Sequence, residues 1–206
     1  MKKTFAYVDG YNLYHGMMDR NYHVPGDISI TPLRKYLWLN LSSFIASFLP
    51  LNYALERTYY FTAPVRDNPE SLARQETYWK ALESIPNLHI QKGKHLRKTD
   101  GYEEKQTDIK LALQIYDDAL HEEGLEAIIL LSADSDQIPT LERVINLRKH
   151  IETFAIFPPC RWSDDLMQLI KPHRCFKTKY KRLRAHQFPN EIETKNYKVV
   201  KPIEWS

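Results

Sequence analysis

The sequence predicts one α/β domain whose mostly parallel sheet is covered by helices on both faces. Three observations carry that expectation. Runs of β-prone residues alternate with stretches of helical spacing, the cleanest strand is an unbroken apolar run, and two cysteines are too few for a disulfide framework. At 206 residues, 43% of them apolar and 13 of them tyrosine, the chain can bury a core without staples.

Taken in order, Thr4-Phe5-Ala6-Tyr7-Val8 is the first strand, followed at once by Asp9-Gly10-Tyr11-Asn12, which reads as a tight turn. Asp9 then stands at a strand's carboxyl end. Thr31-Pro32 supplies a cap and a proline at the first helical position, opening a helix that runs toward Phe48. Residues 36–55 carry no charge, a membrane-spanning length, but Asn40, Ser42, Ser43, Ser47, Pro50 and Asn52 interrupt them, so a buried helix ending near Pro50 is expected. Residues 57–65, rich in Tyr, Thr and Phe, read as the second strand. Residues 69–84 have helical spacing and 88–91 make a brief third strand.

The basic run Lys92-Gly93-Lys94-His95-Leu96-Arg97-Lys98 reads as a loop. An amphipathic helix over 104–120 follows, with Ile109, Ala112, Leu113, Tyr116 and Leu120 on its stripe. Residues 126–131 are the clean buried strand, bounded by the polar turn Ser132-Ala133-Asp134-Ser135-Asp136. A helix over 138–149, a strand over 153–157, a helix over 163–170 and a short strand around 175–180 complete the alternation. The domain is expected to span 1–180, with 181–206 a basic C-terminal extension that wraps the domain or stays mobile.

Charge is unevenly distributed. Residues 1–170 hold 19 Lys/Arg against 23 Asp/Glu, whereas 171–206 hold 10 against three, so a mildly acidic body carries a tail of +7. That pattern suits a carboxylate site served by a basic surface for a polyanion; a solvated tail is the plainer explanation. Cys160 and Cys175 have no zinc spacing, which makes a reducing cytoplasm the default compartment. Met1-Lys2-Lys3-Thr4 looks like the start of a secretion signal, but Asp9 and Gly10 interrupt any apolar core, and no membrane association is expected.

Ligands of open parallel sheets bind outside the carboxyl ends of the strands. Asp9, Asp134 and Asp136 occupy such ends, and Asp108 falls in the first turn of the 104–120 helix, from which it can reach the same rim. Clustered carboxylates raise one another's pKa unless a cation neutralises them. Hard Mg²⁺ or Mn²⁺, which take oxygen ligands and substrate phosphate, are the cations expected. Each residue alone has an ordinary reading: Asp9-Gly10 as a turn, Asp108 as a carboxylate complementing the helix dipole, Ser132 or Asp134 as a cap, Asn12 as a turn residue. An aspartyl phosphatase would need a second acid two residues after Asp9, where Tyr11 stands.

With these residues in place, the sequence resembles the NYN domain family of PIN-like nucleases over roughly residues 3–176. Phe5-Ala6-Tyr7-Val8-Asp9-Gly10-Tyr11-Asn12 is similar to the family's opening strand, Lys105-Gln106-Thr107-Asp108 to its central Lys-x-x-Asp helix start, and Ser132-Ala133-Asp134-Ser135-Asp136 to its third signature. Ala133 stands where Gly is usual, Gln114 where many members place a further Asp, and Lys171-Pro172-His173 departs from the late pattern around Ser163 and Leu166. The resemblance implies a PIN-like three-layer fold. It also implies a divalent-metal nuclease with Asp9, Asp108, Asp134 and Asp136 as catalytic metal ligands, assisted by Asn12, Lys105 and Ser132.

RNA is the expected partner, with a structure-selective DNA nuclease and a catalytically silent RNA-binding module as alternatives. Lys92, Lys94, Arg97 and Lys98 on one side, and Lys177, Lys179, Lys181, Arg182 and Arg184 on the other, are expected to track phosphates. Phe176 and Tyr180 are candidates either for stacking on unpaired bases or for the core.

Overall fold

The computed structural model describes the chain except Asp67, Thr99, Asp100 and Ser206, and except the side chains of residues 95–98 and 101–105. Among the described residues its elements run β1 (Lys2–Asp9), α1 (Gly10–Met17), α2 (Leu41–Ala46), β2 (Tyr53–Thr62), α3 (Pro69–Leu82), β3 (Leu88–Lys92), β4 (Lys94–Lys98) and β5 (Gly101–Lys105). They continue with α4 (Thr107–His121), β6 (Leu125–Leu131), α5 (Ile138–Leu147), β7 (Glu152–Phe157), α6 (Asp164–Ile170), β8 (Cys175–Lys177), α7 (Tyr180–Ala185), β9 (Glu191–Glu193) and β10 (Lys198–Val200). The fold is α/β, as the alternation predicted.

Six strands form a parallel sheet in the order β3-β2-β1-β6-β7-β8. The chain steps outward from β1 through β2 to β3, then returns across the sheet to pair β6 with the other side of β1. Strand order therefore reverses between β1 and β6, and at such a switch point the connections diverge and leave a crevice at the carboxyl ends. Side chains of β1 alternate across the sheet. Ala6 and Val8 pack with α1, α2 and α3 through Leu13, Met17, Phe44 and Trp79, while Phe5 and Tyr7 pack with α4, α5 and α6 through Leu111, Leu141 and Leu166. Each such large side chain, once buried, contributes on the order of 2 kcal/mol.

The segment after α7 joins the first of these cores: Phe188, Ile192, Val199 and Trp205 are buried in it, and Phe188 and Trp205 both lie against the Trp38 ring. No helix among the described residues is long and apolar enough to cross a membrane.

Four local expectations change. The helix expected from Thr31-Pro32 to Phe48 is split into a 3-10 turn, Arg34–Tyr36, and α2. Asn40 restarts it by accepting from the Ser43 N–H at 3.0 Å, and Leu39 bridges to Gln187 instead of continuing a helix. The basic loop at 92–98 is replaced by β4, which pairs with β5 as an antiparallel hairpin. Asp9-Gly10 opens α1 directly instead of making a tight turn. A Cβ on Gly10 would lie 2.6 Å from the Phe61 carbonyl oxygen, so only glycine lets α1 start this close to β2. Finally, α4 buries Leu111, Ile115 and Ala119 and leaves Ile109 and Leu113 exposed. The predicted stripe is the wrong face, and the true one continues one turn back to Thr107, which leaves the neighbouring Asp108 exposed.

Candidate metal centre at the carboxyl rim

Asp9 ends β1 and caps α1. Its Oδ1 accepts from the Asn12 N–H at 2.9 Å and its Oδ2 accepts from the Ser132 hydroxyl at 2.9 Å. Ser132 follows β6, so this second bond spans the switch point. The same hydroxyl oxygen accepts from the Asp134 N–H at 3.0 Å, and Asn12 Oδ1 accepts from the Ala133 N–H at 3.1 Å. Two short turns are thereby stitched together across the crevice, with Asn12 and Ser132 as the bridging residues. Ala133 does not take a positive φ, so its replacement of the usual glycine brings no backbone strain.

Asp108 arrives from the other side of the rim. The chain enters α4 through Gln106, held in the left-handed region at φ 80°, which for a residue with a Cβ costs on the order of 1 kcal/mol. That turn puts Asp108 in the first helical turn. Carboxylate oxygens of Asp9, Asp108 and Asp134 all lie within 4.8 Å of one another. Asp9 is buried, Asp134 half-buried and Asp108 exposed, so the group has a fixed base and an open mouth.

Burial raises the Asp9 pKa to about 6, and the neighbouring Asp108 and Asp134 carboxylates push the same way against the two hydrogen bonds. An all-oxygen, all-anionic donor set around a buried carboxylate of raised pKa fits a hard divalent cation such as Mg²⁺ or Mn²⁺.

Asp136 lies outside this group. Its side chain is exposed and its contribution is a backbone N–H, donated to Asp134 Oδ1 at 3.0 Å. The fourth acid of the sequence pattern thus braces the third. Lys105, Arg97 and Lys98 sit on the β4–β5 hairpin, with their side chains outside the described residues. Lys92 and Lys94 are exposed, and the Lys92 ammonium rests 4.0 Å from the centre of the Trp79 ring.

At the far end of the same rim Lys177 closes β8 with its ammonium 3.8 Å from the Trp162 ring. Lys179, Lys181 and Arg184 are exposed, whereas Arg182 is held over Phe48 and donates to the Ser47 carbonyl at 2.8 Å. Phe176 stacks on Phe154 and Tyr180 packs against the core, and both rings are half-buried.

Three residues escaped the sequence reading. Arg161 and Trp162 follow β7 and so reach the rim by the same rule that placed Asp9 and Asp134; their loop packs on α1, where a Cβ on Gly16 would lie 2.5 Å from the Pro159 carbonyl oxygen. Gln137, directly after Asp136, is buried with its Oε1 lacking a hydrogen-bond partner among the described residues. Only its place directly after the third signature could have drawn notice to it.

Comparison with known proteins bears on the fold and the family. The crystal structure of a protein of unknown function from Vibrio parahaemolyticus is similar, with a TM-score of 0.59 and 16% identity over 86% of this chain and 93% of that one, which speaks to the fold alone. No curated protein matches the chain. The model of the NYN domain matches residues 3–170, from the first residues of β1 to the last of α6, and the chain belongs to the NYN domain family, membership of which implies a PIN-like nuclease.

Proposed function

We propose that the protein is a metal-dependent ribonuclease that hydrolyses phosphodiester bonds in single-stranded or unpaired RNA in the reducing cytoplasm. The observation that carries this reading is the convergence of Asp9, Asp108 and Asp134 within 4.8 Å at a switch point of a parallel sheet. These three would hold Mg²⁺ or Mn²⁺, which when bound supplies Lewis-acid polarisation of the phosphodiester and lowers the pKa of an attacking water.

The chain's own residues prepare the place. Asn12 and Ser132 each occupy one oxygen of Asp9, fixing the carboxylate plane while leaving lone pairs for a cation. Ser132 passes that order on to the Asp134 backbone, and Asp136 orients the Asp134 carboxylate. Positive charge along the rim, from Lys92 and Lys94 to Arg161 and Lys177, would draw the backbone across the carboxylates. Lys179, Lys181, Arg182 and Arg184 extend it, and neutralising any one cation that meets a phosphate should lower the single-strand salt slope by roughly 0.7.

The test is purified protein with labelled single-stranded RNA, single-stranded DNA, flapped DNA and duplexes, in Mn²⁺ or Mg²⁺ and in excess chelator. RNA should be cut only with metal. Cleavage of flapped DNA with RNA ignored would assign a structure-selective DNA nuclease. Binding of RNA with no cleavage under any metal would assign a silent binding module.

A further inference from the structure

Beside the acidic group, on the α1 and α3 side of the sheet, lies a cavity of about 300 Å³. Its wall begins at Gly10 and Thr62, the residues that follow Asp9 and its parallel partner Phe61. The Tyr60 ring packs within 2.9 Å of where a Gly10 Cβ would stand, so the ring and the backbone that follows Asp9 form one stretch of the cavity wall. Tyr11, Tyr14, Tyr60 and Trp205 supply aromatic surface, and Arg34 and Arg74 supply guanidinium groups.

The wall is built rather than incidental. Gln75 accepts from the Val65 N–H at 2.8 Å and donates to the Ala63 carbonyl at 3.0 Å, pinning the segment after β2 to α3. Arg74 donates to Ser71 Oγ at 2.8 Å and pairs with Glu204 at 3.0 Å, which fastens the C-terminal segment and brings Trp205 to the cavity.

We propose that this cavity takes one unpaired base of the strand whose phosphodiester lies on Asp9, Asp108 and Asp134; the inference rests on the nuclease reading for the identity of that strand. Its volume is at the small end of ligand sites, enough for one nucleoside and too little for a folded element. Aromatic walls of low polarity suit the face of a base rather than a phosphate, and stacking on such rings accepts any base because each has a π-face. A base held here would set its sugar and phosphate at the end of β1, where Gly10 lines the cavity and Asp9 precedes it. It would also restrict cleavage to strands whose bases can leave their pairing, which ties the preference for unpaired RNA to a place in the fold.

The experiment is an abasic scan. Short single-stranded RNAs, each lacking one base at a successive position relative to the bond cut, are compared for cleavage in Mn²⁺ and for equilibrium binding in chelator. One position should lose about tenfold in both readouts, the equivalent of about 1.4 kcal/mol of stacking. Two variants keep the outcome interpretable. Tyr14→Ala removes an exposed ring, and Ser71→Trp fills the cavity. Each should weaken the intact strand about tenfold and bind the strand abasic at that position as the parent does. A flat scan, or variants that leave the position effect in place, would overturn the proposal. So would free AMP or UMP binding as tightly as the oligonucleotides, which would make the cavity a site for a free nucleotide. If the parent cuts nothing, the nuclease reading fails by itself, and the binding scan still decides whether a base occupies the cavity.

Discussion

The two ends of the sheet both gather carboxylates, and they treat them in opposite ways. At the amino ends of the strands Glu122 accepts from Arg57 and Lys3, and these bonds hold its pKa below the ordinary glutamate value. Glu152 sits between Lys2, Tyr53 and Arg174; burial works against its charge, but the hydrogen bonds from Lys2 and Tyr53 with the nearby Arg174 lower its pKa. At the carboxyl ends Asp9 receives its hydrogen bonds from an amide and a hydroxyl, has two further aspartates as neighbours, and is raised to about 6. At one end Glu122 and Glu152 are met by lysines and arginines of the chain; at the other the buried Asp9 is met by neutral donors beside two further carboxylates. Under the proposed function, the first arrangement serves stability and the second holds a cation.

The largest effect expected from this contrast is at Asp134. Asp134→Asn keeps the shape of the side chain and removes one of three clustered charges, so cleavage in saturating metal should fall by roughly a hundredfold or more while RNA binding is preserved. Thermal stability in chelator should be unchanged or raised, because crowding of like charge is relieved. Were Asp134 only the cap of the turn that follows, Asn would serve about as well as Asp, and rates within about twofold of the parent would show it.

The pH dependence of the metal-free protein tests Asp9 next. Its folded pKa lies above its unfolded one, so between about 4 and about 6 the folded state binds the extra proton, and stability contributed at this site falls as pH rises through that window. The difference is on the order of 3 kcal/mol. Denaturation of the parent and of Asp9→Asn in chelator from pH 4 to pH 7 should give curves that diverge in that direction, with added Mn²⁺ restoring the parent at the upper end. Parallel curves would mean that Asp9 carries no unmet charge.

At the opposite end Glu152→Ala should show the complementary result. Loss of its ion pairs should lower unfolding free energy by roughly 1–2 kcal/mol in urea titrations. Cleavage per folded molecule should stay within about twofold of the parent. A large catalytic loss with unchanged stability would erase the distinction between the two ends.

How far this contrast could be read in advance follows the range of the forces involved. The strand at 125–131 is legible because burial on both faces leaves an unbroken apolar run, and Asp134 is legible because it comes just after it. The helix Gly10–Met17 is hidden, since its two glycines argue against a helix until the Phe61 and Pro159 carbonyls that demand them are in place. The 107–121 helix has two apolar stripes, and only the sheet decides that Leu111, Ile115 and Ala119 face inward. Of the site, the acids were visible as residue types. The bonds from Ser132 to Asp9 and from Ala133 to Asn12, which join positions more than 100 residues apart, depend on strand order and could not be.

The smallest effect expected, and the one that sharpens the carboxyl-end picture most, concerns Asp136. Its carboxylate is exposed and lies outside the group formed by Asp9, Asp108 and Asp134; what it gives the site is a backbone N–H on Asp134 Oδ1. Asn at this position keeps that N–H and the local turn, so Asp136→Asn should reduce cleavage by no more than about threefold and leave the metal concentration at half-maximal rate nearly unchanged. A small fall in rate at low metal is consistent with one surface charge fewer near a cation, an effect that salt should screen away. If Asp136→Asn instead matches Asp134→Asn in its loss of cleavage and its demand for metal, then the turn that follows Leu131 must rearrange when a cation enters. The carboxyl end of the sheet would then differ from the amino end in mobility as well as in charge.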